Sequence, residues 1–307
     1  MAIRFLPPSP WAGRLQGGGM IRLAPAPVLA AVRLPFAFLT LAALAAGARM
    51  DAAVRIDNAE YEGRAQFRIT TAGATWFYDK AGGGFSRIVD REGHDWISFH
   101  KDPLNDRLAS AAAGYRGMPD LVPGDHYPDA GAGHPGFDHC VSERIAHDTI
   151  RTTTKSGAWA WTWRFTDTQA CFTMKKADPA HRWWFLYEGP IAGRFAPRQQ
   201  YWGTDLGGPR RETPDFKKNE DIFGRWRWMY FGDDSVGRIL YVATRGPAPM
   251  DCFSYFGSTT AGLASRDGMI VAGFGRNPAP QLTGAGARFV VGFIEQPVPD
   301  ASAHVRV

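Results

Sequence analysis

Residues 158–165 read Ala158-Trp159-Ala160-Trp161-Thr162-Trp163-Arg164-Phe165. An aromatic ring recurs at every second position, and the residues between are small, hydroxylated or charged. Successive side chains of a strand point to opposite faces, so this run predicts a β-strand with one aromatic face turned inward. Trp159, Trp161 and Trp163 are expected to fill the space between two packed sheets.

Outward from this strand the same reading repeats. Short β-rich runs at 66–70, 74–79, 85–90 and 95–100 are separated by Thr71-Ala72-Gly73, Ala81-Gly82-Gly83-Gly84 and Arg91-Glu92-Gly93. Further strands are expected at 140–145, 149–154, around Phe172 and Met174, and at 182–188. Trp226, Trp228 and Tyr230 alternate with Arg225, Arg227 and Met229, and strands at 239–244, 269–274 and 288–295 close the series. No stretch after residue 50 carries a three-turn amphipathic helix, and the Ala-rich segment 108–113 suits one short helical piece at most. The expected class is all-β, a large antiparallel sandwich or barrel. No fixed-period repeat and no linker appears, so 49–307 reads as a single domain.

The first 48 residues are set apart. From Met20 an apolar run follows Arg22 and Arg33 and ends in Ala46-Gly47-Ala48, the small-x-small pattern of a secretory cleavage site. The apolar part, 34–48, is 15 residues long, short of the roughly 20 that a spanning helix needs. A cleaved signal peptide and a secreted or periplasmic location are therefore expected, with no membrane span afterwards. The formal net charge of +5 then falls to +1, because Arg4, Arg14, Arg22 and Arg33 leave with the leader. A strongly cationic surface is the usual footprint of nucleic-acid binding, so that function loses its support. Cys140, Cys171 and Cys252 have no Cys-x-x-Cys spacing, and an oxidising compartment would permit one disulfide among them.

Two long stretches break the strand series. The first, 114–139, reads GYRGMPDLVPGDHYPDAGAGHPGFDH. It has no apolar period, is punctuated by Gly and Pro, and holds Arg116, Asp125, His126, Tyr127, His134 and His139. Long loops inside compact domains are usually functional or disordered, and aromatics between strands argue against disorder. It is the candidate active-site loop. The histidines could converge on a divalent metal with Asp125, Asp129 or Asp138, or one of them could act as a general base; no cofactor is otherwise required. The second stretch, 189–222, contains Tyr201, Trp202 and Arg210. Together with Trp226 and Trp228 these could line a groove, since aromatic faces stack on sugar rings.

These side chains suit β-elimination next to a uronic acid. Arg116 would neutralise the sugar carboxylate, His126 or His134 would take the proton, and Tyr127 would protonate the leaving oxygen. Hydrolysis would need two carboxylates about 5–10 Å apart, for which Glu188, Asp205, Asp215 and Glu220 are available. No Gly-x-Ser-x-Gly, phosphate loop or dinucleotide fingerprint supports acyl, phosphoryl or hydride transfer.

The first hairpin, Gly83-Gly84-Phe85-Ser86-Arg87-Ile88-Val89-Asp90-Arg91-Glu92-Gly93-His94-Asp95-Trp96, resembles the opening of galactose-mutarotase-like proteins. There a Gly-rich turn leads to a strand, an Asp-x-x-Gly turn and the next strand. The resemblance implies a large β-supersandwich shared by aldose epimerases and by domains of several polysaccharide lyases. The epimerases use a His and a Glu for ring opening, and the resemblance does not extend to residues that place that pair. Trp184-Phe185-Leu186-Tyr187-Glu188-Gly189 also looks like secreted bacterial β-proteins of a polysaccharide-related type. The combined expectation is a secreted carbohydrate-active enzyme on poly- or oligosaccharide. A lyase reaction leads, with Glu188 among the catalytic candidates; glycoside hydrolysis and non-catalytic carbohydrate binding are the alternatives.

Overall fold

A computed structural model describes residues 54–101, 112, 114–124, 126, 128–247, 250–258, 261–276 and 282–307. The expected leader, 1–48, lies outside the described residues. Antiparallel strands dominate, and the one α-helix among the described residues is Ala301–His304, capped by the Asp300 side chain.

The chain begins with a four-stranded meander of β1 (Arg55–Tyr61), β2 (Arg64–Thr70), β3 (Ala74–Asp79) and β4 (Phe85–Asp90). After the first long loop come β5 (Cys140–Ala146), β6 (Thr149–Thr154), β7 (Ala160–Phe165) and β8 (Gln169–Lys176). Next are β9 (Arg182–Trp183), β10 (Phe185–Gly189), β11 (Gln200–Thr204), β12 (Gly207–Arg210), β13 (Ile222–Gly224) and β14 (Trp228–Asp233). The series ends with β15 (Ile239–Thr244), β16 (Asp251–Gly257), β17 (Gly268–Phe274), β18 (Leu282–Thr283) and β19 (Arg288–Ile294).

Nine strands form one large sheet in the order β12-β11-β14-β15-β19-β8-β7-β6-β5. A second four-stranded sheet has the order β10-β17-β16-β13. The large sheet packs its aromatic face onto both smaller ones. Phe85 of β4 meets Trp163 of β7 edge-on at 4.7 Å, Phe185 of β10 stacks on Phe289 of β19 at 4.3 Å, and Trp202 of β11 stacks on Phe253 of β16 at 4.3 Å. Trp159, Trp161 and Trp163 are buried, as the alternation requires. Rings in tilted or offset contact contribute dispersion beyond the area they bury.

Several expectations are corrected. Residues 95–100 form no strand, only the isolated bridge from Asp95 to Val89. The Asp95 carboxylate takes the backbone N–H groups of Ile97 and Ser98, turning the chain where a ladder would have continued. The run 182–188 breaks at Trp184: β9 pairs with β18, while β10 joins the second sheet. The stretch 189–222 is not wholly irregular, because β11 and β12 enter the large sheet. Strands β1 and β16 were not anticipated. Cys140, Cys171 and Cys252 are unpaired thiols.

Candidate active site

The second four-stranded sheet has an outer face as well as a core face. Phe185 and Tyr187 of β10, Ile270, Ala272 and Phe274 of β17, and Phe253 and Tyr255 of β16 lie in the common core. Alternation turns Leu186, Glu188, Val271, Gly273, Cys252 and Ser254 the other way. The register places Glu188 opposite Val271, and Val271 opposite Ser254, whose hydroxyl donates to Asp221 at 2.7 Å. An apolar face with these polar groups is where chemistry is expected.

The first long loop completes this face. Gly117 and Glu188 exchange both backbone hydrogen bonds at 3.0 Å, Leu186 N–H donates to the Pro119 carbonyl at 2.7 Å, and Trp184 N–H to that of Leu121 at 3.1 Å. Residues 117–121 therefore run as an extra strand along the free edge of β10. On the other side, Phe85 N–H donates to the Met118 carbonyl at 2.6 Å. The chain then doubles back, with Asp120 N–H donating to the Gly133 carbonyl at 3.0 Å and Leu121 N–H to that of Ala132 at 3.1 Å. The glycine run of the first meander explains how so tight a fold is accommodated. A Cβ on Gly82 would lie 2.4 Å from the His134 carbonyl oxygen, and one on Gly84 would lie 2.2 Å from that of Gly133. Asp120 itself has φ 43°, a left-handed conformation that Asp tolerates better than most residues.

His134 and Glu188 are brought together as a result. The His134 ring stacks on Tyr115 with centroids 5.2 Å apart and meets Phe137 edge-on at 5.7 Å. Its Nδ1 lies 2.6 Å from the Pro135 carbonyl oxygen, which can only accept, so Nδ1 carries the proton and Nε2 is left as the acceptor. That Nε2 is 3.7 Å from Glu188 Oε2, and the Glu188 side chain is 13 % exposed. Burial pushes the Glu188 carboxyl well above the usual carboxylate range; the neighbouring Asp120 charge adds to the rise and Arg276 opposes it. Asp120 is raised chiefly by burial, against the pull of His134, Arg276 and the Trp184 indole N–H. Arg276 lies over the Phe216 ring at 4.8 Å, and its Nη1 is 3.9 Å from Cys252 Sγ. A carboxyl that keeps its proton beside an imidazole is poised for general acid–base work.

From the end of β10 a cleft of about 660 Å³ continues past Pro190, with Arg116, Arg194, Phe195 and Asp267 on its walls. Arg116 is buried there, ion-paired with Asp267, and its Nε donates to the Ala112 carbonyl at 2.7 Å.

Of the residues predicted from sequence, His134 and Glu188 come together and Arg116 lies at the adjoining cleft. Tyr127 and Asp125 lie outside the described residues. His126 packs on His181 with centroids 4.5 Å apart, and His139 stacks on Phe137 at 5.8 Å. Among the described residues no three His, Cys, Asp or Glu side chains are grouped to hold a metal ion. The aromatic candidates are elsewhere. Trp202 is buried between Phe253 and Trp226, and Arg210 covers its ring at 4.6 Å. Tyr201 is buried with its hydroxyl accepting from Val298 N–H at 3.0 Å. Trp226 is buried too, and Trp228 stacks on Tyr230 at 6.0 Å. Sequence reading missed Asp120 and Arg276. Asp120 sits in the candidate loop between Pro119 and Leu121, but Arg276 has no local signal beyond following a strand.

No family model matches the chain, and no curated protein matches its sequence. Solved structures do match its fold. The protein HI1317 superposes with a TM-score of 0.52 at 12 % identity, over 78 % of this chain and 96 % of its own. A putative mutarotase, YeaD, from Salmonella typhimurium gives a TM-score of 0.50 at 6 % identity, over 79 % of this chain and 94 % of its own. The fold is that of the galactose-mutarotase-like proteins.

Proposed function

We propose that the protein is a carbohydrate-active enzyme whose Asp120–His134–Glu188 cluster moves a proton on a sugar held against the outer face of the second sheet. The observation that carries this reading is the mostly enclosed Glu188 carboxyl 3.7 Å from His134 Nε2, a setting whose burial pushes the carboxyl well above the usual carboxylate range. Exposed aromatics alone would suit a binding protein, but a binding surface has no use for a buried carboxyl–imidazole pair.

Two reactions use such a relay. Arg276, whose charge reaches both carboxyls, favours an anionic sugar and hence β-elimination on a uronate polysaccharide. In that reaction Arg276 would take the charge-neutralising role first assigned to Arg116. The imidazole or a carboxylate would remove the C–H proton next to the sugar carboxylate, a carbon–carbon double bond would form, and the leaving oxygen would take a proton from Glu188. The fold likeness to a putative mutarotase favours the second reading, ring opening and epimerisation of a free aldose.

Purified protein assayed on a panel of polyuronates by near-ultraviolet absorbance, and on free aldoses by polarimetry, separates the two. Glu188→Gln is expected to lower kcat on the responsive substrate by about 10²–10⁴-fold, the usual weight of general acid–base catalysis. Full activity in that variant would remove the cluster from the mechanism. Release of reducing sugar without unsaturated product would point to hydrolysis. Export is part of the same proposal, and a secreted form beginning at Arg49 would be its signature.

A further inference from the structure

The nine-stranded sheet carries a second site on the face turned away from the core. Along β7, β8 and β19 the outward residues include Thr162 and Arg164, then Cys171, Thr173 and Lys175, then Arg288. Pairing sets Thr162 opposite Thr173 and Thr173 opposite Arg288, with Arg164 opposite Cys171. Arg245, just beyond β15, is tied to the same place by its backbone N–H, which donates to the Arg288 carbonyl at 2.8 Å. A groove of about 590 Å³ runs over these rows. The charges of Arg245 and Arg164 both bear on the Cys171 thiol on its floor.

The lining is one-signed. Arg164, Lys175, Arg245 and Arg288 are exposed along the groove, and no Asp or Glu lines it. Only Arg164 has an acidic partner at its rim, Asp148 at 2.9 Å. Among the described residues Lys175, Arg245 and Arg288 form no ion pair. The unpaired charges of Lys175, Arg245 and Arg288 stand close together and repel one another, and a bound anion would relieve that repulsion. Between the cations lie the hydroxyls of Thr162 and Thr173, free to donate to or accept from sugar hydroxyls, and those of Thr149 and Thr166, which donate to Asp148 and to the Gln169 carbonyl and keep only acceptor capacity. The aromatic residues of the groove, Phe172 and Phe289, are buried with their rings in the core. Nucleobases therefore have no exposed ring to stack on, and stacking is what single-stranded nucleic acids require.

We propose that this groove binds an acidic polysaccharide, holding the chain by its repeated anionic groups, separately from the Glu188 site. The site stands on its own geometry and does not depend on which reaction the Glu188 cluster performs. A polymer bound here would be kept at high local concentration for whatever site acts on it.

The test measures binding of the purified protein to alginate, dextran sulfate, neutral dextran and a single-stranded oligodeoxynucleotide. Acidic polymers should bind and neutral dextran should not. Raising salt from about 50 to about 200 mM should weaken binding on the order of tenfold or more, through counterion release. The exposed-residue variant Lys175→Gln/Arg245→Gln/Arg288→Gln should bind acidic polymer at least about tenfold more weakly with thermal unfolding no lower than the parent's, since it only relieves repulsion, while Glu188→Gln binds normally. Equal binding by the triple variant, or binding of neutral dextran as tight as that of alginate, would overturn the site. Tighter capture of the oligonucleotide than of either acidic polysaccharide would overturn the assigned occupant. Loss of binding in Glu188→Gln with retention in the triple variant would place the polymer at the cluster and refute the groove.

Discussion

The two Gly- and Pro-rich stretches, 114–139 and 189–222, look alike in sequence and fold to opposite ends. The first stays a shaped loop, held by backbone hydrogen bonds to β4 and β10 and pressed against the glycine run 82–84. It delivers Asp120 and His134 to an open face. The second feeds β11 into the large sheet and buries Trp202 at 0 % exposure. Glycine content does not separate them; the available partner does. Gln200–Thr204 meets Phe231 and its neighbours on β14 over five consecutive pairs, whereas 117–121 makes scattered backbone bonds to the edge of β10, to Phe85 and to its own returning chain at 132–133. A segment that pairs along its length becomes core, and one that pairs along an edge keeps side chains free for chemistry.

The sharpest way to break this comparison is Trp202→Ala. If the second stretch is core, removing an indole stacked between Phe253 and Trp226 should cost about 3–5 kcal/mol of stability, read as a fall in the denaturation midpoint. Were Trp202 a sugar-stacking residue instead, stability would hold and only substrate affinity would drop.

The alternation at 158–165 was enough to read an aromatic strand, because period two is a local property that burial on one face enforces. For the same reason 74–79, 85–90, 149–154 and 239–244 match β3, β4, β6 and β15 residue for residue. Asp251–Gly257 escaped because polar Asp251 stands on the same face as Phe253 and Tyr255, breaking the apolar period, and its Oδ2 finds a partner only in the distant Trp226 N–H. The candidate loop was legible from its Gly and Pro content, and His134 was named from it, while Glu188 was named as a carboxylate in the strand run 182–188. Asp120 and Arg276 were not legible, since their meeting depends on the edge of β10 lying between two segments far apart in sequence. The indoles of Trp202 and Trp226 were misplaced because sequence shows an aromatic residue but not which sheet closes over it.

The glycine run beneath the first stretch gives the next prediction. Gly84→Ala would set a Cβ 2.2 Å from the Gly133 carbonyl and 2.9 Å from that of Met118, both backbone atoms that cannot turn aside. Stability should fall by about 1–3 kcal/mol, and activity should fall further than stability explains, because the hairpin that carries Asp120 and His134 must move. Gly124→Ala, with nothing within 4 Å of the new Cβ, is the control in the same loop. Equal behaviour of the two variants would mean that the close approach does not position the site.

The smallest expected effect separates a buried carboxyl beside the second stretch from the one beside the first. Asp251 accepts the Trp226 N–H at 2.9 Å, and burial pushes its carboxyl up to about 9. Glu188 is raised by burial too, yet it alone faces an imidazole. A folded-state carboxyl raised in this way holds a proton that the unfolded chain releases near pH 4. Between that value and about 9 the folded state therefore binds more protons than the unfolded state, and stability falls as pH rises. Asp251→Asn removes the ionisable group while keeping an oxygen for Trp226. Its melting temperature should exceed that of the parent by about 2–4 °C per kcal/mol recovered at pH 8, with little difference at pH 5, and kcat should not change. Glu188→Gln should show the same pH-dependent gain in stability while losing activity. If Asp251→Asn also lost activity, the Trp226 side of the second sheet would belong to the site, and the division between the two stretches would fail.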